Sequence, residues 1–443
     1  MKFKSPFSKH FEKVTDFNDW KGRIVVWIAA MTAGFVVVMF SKAAEYAVSF
    51  FFSWQKSNWW LPLIITPVGG AVIVGLTNKW FKGAGGSGIP QTIAALHLDS
   101  QENSYPKLIN LKLAFGKILL GVSAMGVGFS TGKEGPSVQV AASVMHSFRR
   151  FLPPNFSVHP KHLILAGGAA GIAAAFNTPL AGIVFAIEEL GRRFEQKTSG
   201  VIITAIVLSG LISISIQGNY TYFGHFSVGV IDKSIFLPIL VSAFVCGILG
   251  GIFSLTLVES SNQLTGTLGK IRTLHPLLWA AVCGLLVALL GVISDGAAHG
   301  SGYTFAENLL TGNATTNWQY APVKYLATIF SFLSGVPGGI FAPTLSIGVG
   351  IGNDIQPFLE YNHSASILEV LCMVGFLSAV TQAPITSFII VMEMVDGHEM
   401  VISLMAVALL SSIISKIISP PLYATLANQQ VSKAPNEENS NQL

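Results

Sequence analysis

Charge is what this chain has least of. Of its 443 residues, 26 are Lys or Arg and 22 are Asp or Glu, a charged fraction of 11%, against roughly 25% in a soluble globular protein. That is too little charge to coat a water-soluble body of this size. Cysteine is almost as scarce. Cys246, Cys283 and Cys372 stand alone in apolar segments, which excludes a disulfide framework and a cysteine metal site and leaves buried packing as their expected state. His97, His146, His162 and His299 have no metal-ligand spacing, so neither a metal nor a metalloenzyme is expected. None of the glycine-rich stretches ends in GK[ST], which excludes a phosphate-binding loop, and no other cofactor is expected. The net charge of +4 has a local cause in Lys2, Lys4, Lys9, Lys13, Lys21 and Arg23, so it does not point to a nucleic-acid partner.

What the chain does have is apolar surface. Hydrophobic residues make up 51%, with 44 glycines and 30 phenylalanines, and the mean hydropathy is +0.59. Small residues let helices approach closely in lipid, and phenylalanine can face hydrocarbon. An all-α polytopic membrane protein is expected. The basic residues ahead of the first apolar run place the N-terminal segment 1–21 in the cytoplasm. Residues 22–424 form the membrane body, and the polar tail 425–443 is predicted to lack fixed structure.

The apolar runs are uneven. Long ones lie at about 22–53, 59–78, 108–131, 200–217, 235–258, 276–293, 320–335 and 399–418. Shorter ones at 137–148, 162–176, 179–190, 344–352, 366–380 and 384–394 are broken by Gly or Pro. A full span takes about 20 residues of helix. Shorter helices stop inside the membrane, where their exposed backbone ends survive only when buried in protein or lining a polar cavity. Many such breaks predict the interior of a transporter or channel.

The breaks also repeat. GSG at 86–88, GKEGPSV at 132–138 and AAFNTPLAGIVFAIEE at 174–189 are followed, in the same order, by GSG at 300–302, GGIFAPTL at 338–345 and AVTQAPITSFIIVMEM at 379–394. Pro136 and Pro179 are 43 residues apart, and Pro343 and Pro384 are 41 apart. Aligning Pro179 with Pro384 pairs Leu180 with Ile385 and Glu188 with Glu393. Two related halves are expected, dividing near 200–230, with a site at their interface.

The chemistry at the breaks suits an anion. In GSGIP at 86–90 the glycines let backbone approach a ligand, the Ser87 hydroxyl can donate, and the following residues begin a helix whose positive end adds attraction. In GKEGP at 132–136, Pro136 fits a first helical turn, so Glu134 sits at a helix N-terminus and competes with an external anion for one field. Protonating Glu134 would release it, which makes a gate from one titratable side chain. GGIFAP at 338–343 repeats the layout with Phe341 in place of the acid, leaving the amides of Ile340 and Phe341 to face an anion without a competing charge. Such a site is weak enough for the ion to leave.

Glu188 and Glu189 end a short apolar helix ahead of the basic residues Arg192, Arg193 and Lys197, on the expected cytoplasmic side. They read either as solvated helix-end acids or as a proton entry point. Lys117, inside an apolar run, needs a partner, and a carboxylate of this pair is the candidate. Lys133 either pairs with a carboxylate or faces water. Glu393 and Asp396 read as structural or surface acids. Tyr423 reads as an aromatic-belt residue, or as a second hydroxyl donor if the chain end folds back inside.

Taken in order, GSGIP, GKEGP, AFNTPLAGIVFAIEE at 175–189, GGIFAP and PLY at 421–423 resemble the CLC family of chloride channels and proton-coupled chloride exchangers, over about residues 20 to 425. The resemblance implies a homodimer in which each subunit has its own pathway. It also implies two inverted structural repeats of tilted and broken helices. By the same resemblance Ser87 and Tyr423 are the hydroxyl ligands of a central chloride, and Ile340 and Phe341 its backbone-amide ligands. Glu134 is implied as the external gate, Glu189 as the internal proton-transfer residue, and Glu188 with Lys117 as supporting inner charges.

By the same resemblance the acid at Glu189 implies an exchanger of chloride for protons rather than a passive channel of the same fold. Within that family the retained Ser87 and Tyr423 imply chloride rather than nitrate or fluoride. The short tails resemble bacterial members, which reside in the inner membrane. A membrane-embedded enzyme or a cation transporter, with Glu134, Glu188 and Glu189 as base or ligands, is disfavoured because helix N-termini repel cations.

Overall fold

A computed structural model describes residues 17–98, 107–154, 156, 158–191, 196–218, 222–223, 233–261, 266–313, 319–359 and 365–432. The basic residues before position 17, Arg192 and Arg193, most of the expected connection at 217–229 and the tail from 433 lie outside them. Among the described residues no sheet forms, and the only extended pairings are two isolated bridges, Gly86 with Pro337 and Gly132 with Gly339.

Among the described residues six stretches are long and apolar enough to cross a membrane: Asp19–Ser57, Pro62–Trp80, Gly200–Gln217, Phe236–Ser261, Pro276–Ile293 and His398–Ile418. They lie in helices α1 (Phe17–Ser57), α2 (Pro62–Trp80), α8 (Gln196–Gln217), α9 (Phe236–Ser261), α11 (Pro276–Ile293) and α17 (Val401–Ile418). Their outer faces are apolar and exposed, as at Leu278, Val282 and Leu289 of α11.

Two of the eight expected long runs form shorter helices. The run at 108–131 yields only α4 (Leu111–Gly126), started by the Asn110 side chain accepting from the Leu113 N–H and stopped just before Gly128 at φ 92°. The run at 320–335 yields α13 (Tyr320–Ser334), stopped by Gly335 at φ 82°. Hydropathy alone could not separate these from full spans. Each carries a fully buried lysine, Lys117 in α4 and Lys324 in α13.

The centre is made of short helices buried on every side, as expected for segments apolar all round. They are α5 (Glu134–Ser147) against α6 (Pro160–Phe176) in the first half, and α14 (Phe341–Ile355) against α15 (Ala365–Thr381) in the second. Close approach is obligatory there: a Cβ on Gly171 would lie 2.6 Å from the Ser137 carbonyl, and one on Gly348 2.6 Å from that of Cys372. All three cysteines are free and buried.

The repeat is visible in the backbone. After α6 and α15 the chain turns at Asn177 (φ 57°) and Gln382 (φ 58°), equivalent positions when Pro179 is aligned with Pro384. It then enters the short helices α7 (Pro179–Phe185) and α16 (Pro384–Val395). These run antiparallel. Glu188, just past α7, accepts from the Ile385 and Thr386 N–H groups of α16 at 3.1 and 2.6 Å. Glu393 of α16 accepts from those of Leu180 and Ala181 in α7 at 3.2 and 2.8 Å. The remaining helices are α3 (Ile89–His97), α10 (Gly266–Leu274), α12 (Tyr303–Leu310) and α18 (Leu422–Ser432). The helical turn of α18 extends eight residues into the expected tail, 425–432.

Candidate functional site

Three loops meet at the centre, and backbone hydrogen bonds join them. The Gly132 N–H donates to the Gly339 carbonyl at 2.8 Å, the Gly339 N–H returns to Gly132 at 2.7 Å, and the Gly338 N–H donates to Gly86 at 3.1 Å. This brings GSGIP, GKEGP and GGIFAP, far apart in sequence, onto one seam. Gly135 sits so tightly in it that a Cβ would lie 2.5 Å from Ser87 Oγ and 3.3 Å from Gly339 Cα.

The loop bearing Ser87 is held from behind. Lys117 donates to the carbonyls of Gly85 and Gly86 at 3.3 and 2.8 Å. Gln91 accepts from the Gly88 N–H at 2.9 Å and donates to the Gly85 carbonyl at 2.7 Å. Lys117 therefore does not pair with Glu188 or Glu189, because carbonyls take up its donors. The second half repeats the device: Lys324 donates to the carbonyls of Ala298, His299 and Gly300, at 3.1, 3.0 and 2.8 Å, behind the other GSG.

Glu134 is the first residue of α5 and is fully buried. Its carboxylate lies against its own N–H and that of Ala342, so it sits on the positive ends of α5 and α14 together. A Cβ on Gly132 would collide with Oε2. Phe341 is likewise the first residue of α14, and the first amides of a helix have no partner within it. Its ring stacks on that of Tyr423, with centroids 5.9 Å apart and planes 7° from parallel.

Tyr423 is fully buried. It is not a belt residue, because the chain end turns inward at the start of α18. Its phenol approaches the Ser87 hydroxyl and lies within electrostatic reach of Glu189 and Glu134. Ser87 Oγ, both Glu134 carboxylate oxygens and the Tyr423 hydroxyl are buried and make no hydrogen bond of ordinary geometry among the described residues, although the carboxylate approaches the Glu134 and Ala342 N–H groups and the phenol approaches Ser87. Buried polar atoms are ordinarily satisfied, since leaving one unpaired costs about 1–3 kcal/mol. Such a cluster around two helix N-termini is chemically fitted to an anion and a proton.

Neighbouring acids have separate positions. Glu189 is buried in a π-helical turn, Ala186–Gly191, on the Tyr423 side. Glu188 is committed to the start of α16. Glu393 is structural, as expected, capping α7.

Glu45, Tyr222 and Lys324, on or behind this site, had no role assigned from the sequence. Lys133, buried at 5% exposure, pairs with Glu45 of α1 and lies 5.8 Å from the Tyr222 ring centroid. Lys133, Glu45 and Tyr222 line a cavity of about 540 Å³ that reaches Glu134. An acid and a lysine inside the apolar runs 22–53 and 320–335 were the available signals for Glu45 and Lys324.

Residues 69–416 match the family model described as voltage gated chloride channel. The chain is 26% identical over 431 residues to an H(+)/Cl(-) exchange transporter, ClcA, from Citrobacter koseri, covering 94% of this chain and 86% of that one. The fold is similar to the crystal structure of a slow cyanobacterial Cl-/H+ antiporter, with a TM-score of 0.78 and 21% identity, over 93% of this chain and 99% of that one. It is also similar to that of a CLC-type fluoride/proton antiporter, with a TM-score of 0.76 and 23% identity, over 91% of this chain and 96% of that one.

Proposed function

Because the chain belongs to the voltage-gated chloride channel family, we propose that it is a secondary active antiporter that exchanges chloride for protons. Chloride is coordinated by the hydroxyls of Ser87 and Tyr423 and the amides of Ile340 and Phe341. Glu134 is the external gate and outer proton carrier. Glu189 passes protons between the inner solution and the centre, and Glu188 and Lys117 hold the surrounding backbone in place. The observation that carries this reading is the position of the Glu134 carboxylate on the N-termini of α5 and α14. An anion and this carboxylate compete for the same field, so chloride entry is tied to protonation of Glu134.

Glu134 alone serves only one end of the path. Glu189, buried and within electrostatic reach of Tyr423, supplies a second titratable group near the phenol. Protons and chloride then share the centre and part on the inner side. The similarity to an H(+)/Cl(-) exchange transporter supports the same reading. We place the protein as a homodimer in a bacterial inner membrane, with its N-terminus cytoplasmic and each subunit carrying its own pathway. The two repeats divide near 200–230.

Exchange moves net charge, and each elementary charge crossing 100 mV is worth about 2.3 kcal/mol. The test imposes a chloride gradient on proteoliposomes, holds the voltage with a potassium ionophore and records external pH. Protons driven against their electrochemical gradient are the expected result. Chloride flux with no proton movement at any gradient would make the protein a passive channel of the same fold.

A further inference from the structure

We infer that Glu45 of α1 is a positioning residue for the gate. Its carboxylate holds the Lys133 ammonium away from Glu134 and thereby sets the pH at which Glu134 is released. The inference rests on the reading of Glu134 as a titratable gate, and it assigns a role to a residue 89 positions earlier in the chain.

Lys133 immediately precedes Glu134 at the start of α5, and its side chain is almost wholly buried. A buried ammonium beside a carboxylate would stabilise the ionised acid and hold the gate on its helix ends. Its partner is Glu45, whose side chain is 58% exposed. Both line the cavity that reaches Glu134, and Lys133 is the more buried of the two. The Tyr222 ring, beneath the Lys133 ammonium, limits where that charge can go. Tyr222 is fixed in turn by the Tyr303 hydroxyl, which donates to its backbone carbonyl.

Among the described residues, the charged or titratable groups that line the cavity at Glu134 or lie within reach of it are these. From α1 come Glu45 and Lys42, the latter lining the same cavity and donating to the Ile216 carbonyl at 3.3 Å. From α5 comes Lys133. Tyr222 and Tyr303 close the cavity wall, and Tyr423 of α18 approaches from the centre with Glu189 beyond it. Lys117 of α4 is turned to its carbonyls. Lys133 and Glu45 are the acid–base pair that lines the cavity at the gate. Removing the negative member leaves an uncompensated positive charge there, so a lower pH is needed to protonate Glu134. Removing the positive member does the reverse.

The test measures chloride flux against pH in proteoliposomes of the full chain. A Glu189→Gln background is used, so that inner proton transfer does not contribute. Glu45→Gln is expected to move the midpoint down by about half a unit or more, which at a fixed pH above the midpoint is about a threefold loss of flux. Lys133→Gln should move it up, and the double variant should fall between the two. Glu45→Asp, which keeps the charge, should return the midpoint towards that of the Glu189→Gln parent. A reduced flux with an unmoved midpoint in Glu45→Gln would mean that Glu45 only supports the fold, and that overturns the inference alone. A pH-dependent flux surviving in Glu134→Gln overturns the inference and the gate together.

Discussion

Glu188 caps α16, the helix that carries Glu393, and Glu393 caps α7, the helix that leads into Glu188. Glu188 receives two N–H groups at the start of α16, and Glu393 receives the two equivalent N–H groups at the start of α7. A carboxylate on a helix N-terminus is stabilised both by hydrogen bonds and by the helix dipole. The arrangement is two-fold, so the two acids should be close to interchangeable in energy. Alanine at either position is expected to lower stability by about 1–2 kcal/mol, measured as thermal unfolding in detergent. Loss at Glu188 with none at Glu393 would argue against the symmetry.

Glu134→Gln keeps the shape of a protonated acid and removes titration. Chloride flux should persist, become largely independent of pH and lose its proton coupling. Simultaneous recording of chloride efflux and proton uptake in proteoliposomes checks this, and persistent proton coupling would remove Glu134 from the proton path.

Glu189→Gln should separate the two ions differently. Uphill proton movement should disappear while chloride flux remains and still depends on pH through Glu134. If coupling survives, protons enter by another group.

Gly135→Ala tests the seam itself. The added methyl would lie 2.5 Å from Ser87 Oγ and 3.0 Å from its carbonyl, with Gly339 Cα behind it. Overpacking of this kind costs about 1–3 kcal/mol. Chloride affinity by isothermal titration is expected to fall by about tenfold or more. An unchanged affinity would place the anion away from Ser87.

Much of this was legible in the sequence because glycine and proline act locally. The breaks at 86–90, 132–136 and 338–343 announce helix starts by residue type, and the helices begin at Ile89, Glu134 and Phe341. The partner of Lys117 was not legible. A lysine that binds carbonyls leaves no complementary side chain to find, so the search for an acid led to the wrong neighbour. Glu45 was hidden for another reason. Its partner is 88 residues away on a different helix, and only the fold brings them together. Tyr423 was ambiguous because sequence cannot tell whether a chain end turns inward. The burial of its ring against Phe341 resolves that.

The paired bonds between Gly132 and Gly339 also limit how the molecule can work. They tie the first half to the second at the depth of the site, with the Gly338–Gly86 bond beside them. Rocking one half against the other would break all three away from water, at a cost of about 1–3 kcal/mol for each group left unpaired. Rotating the Glu134 side chain breaks none of them. On the proposed reading of Glu134 as the gate, the frame stays welded while that side chain swings as a latch, and exposure of the ion to the two solutions would fall to side chains rather than to domains.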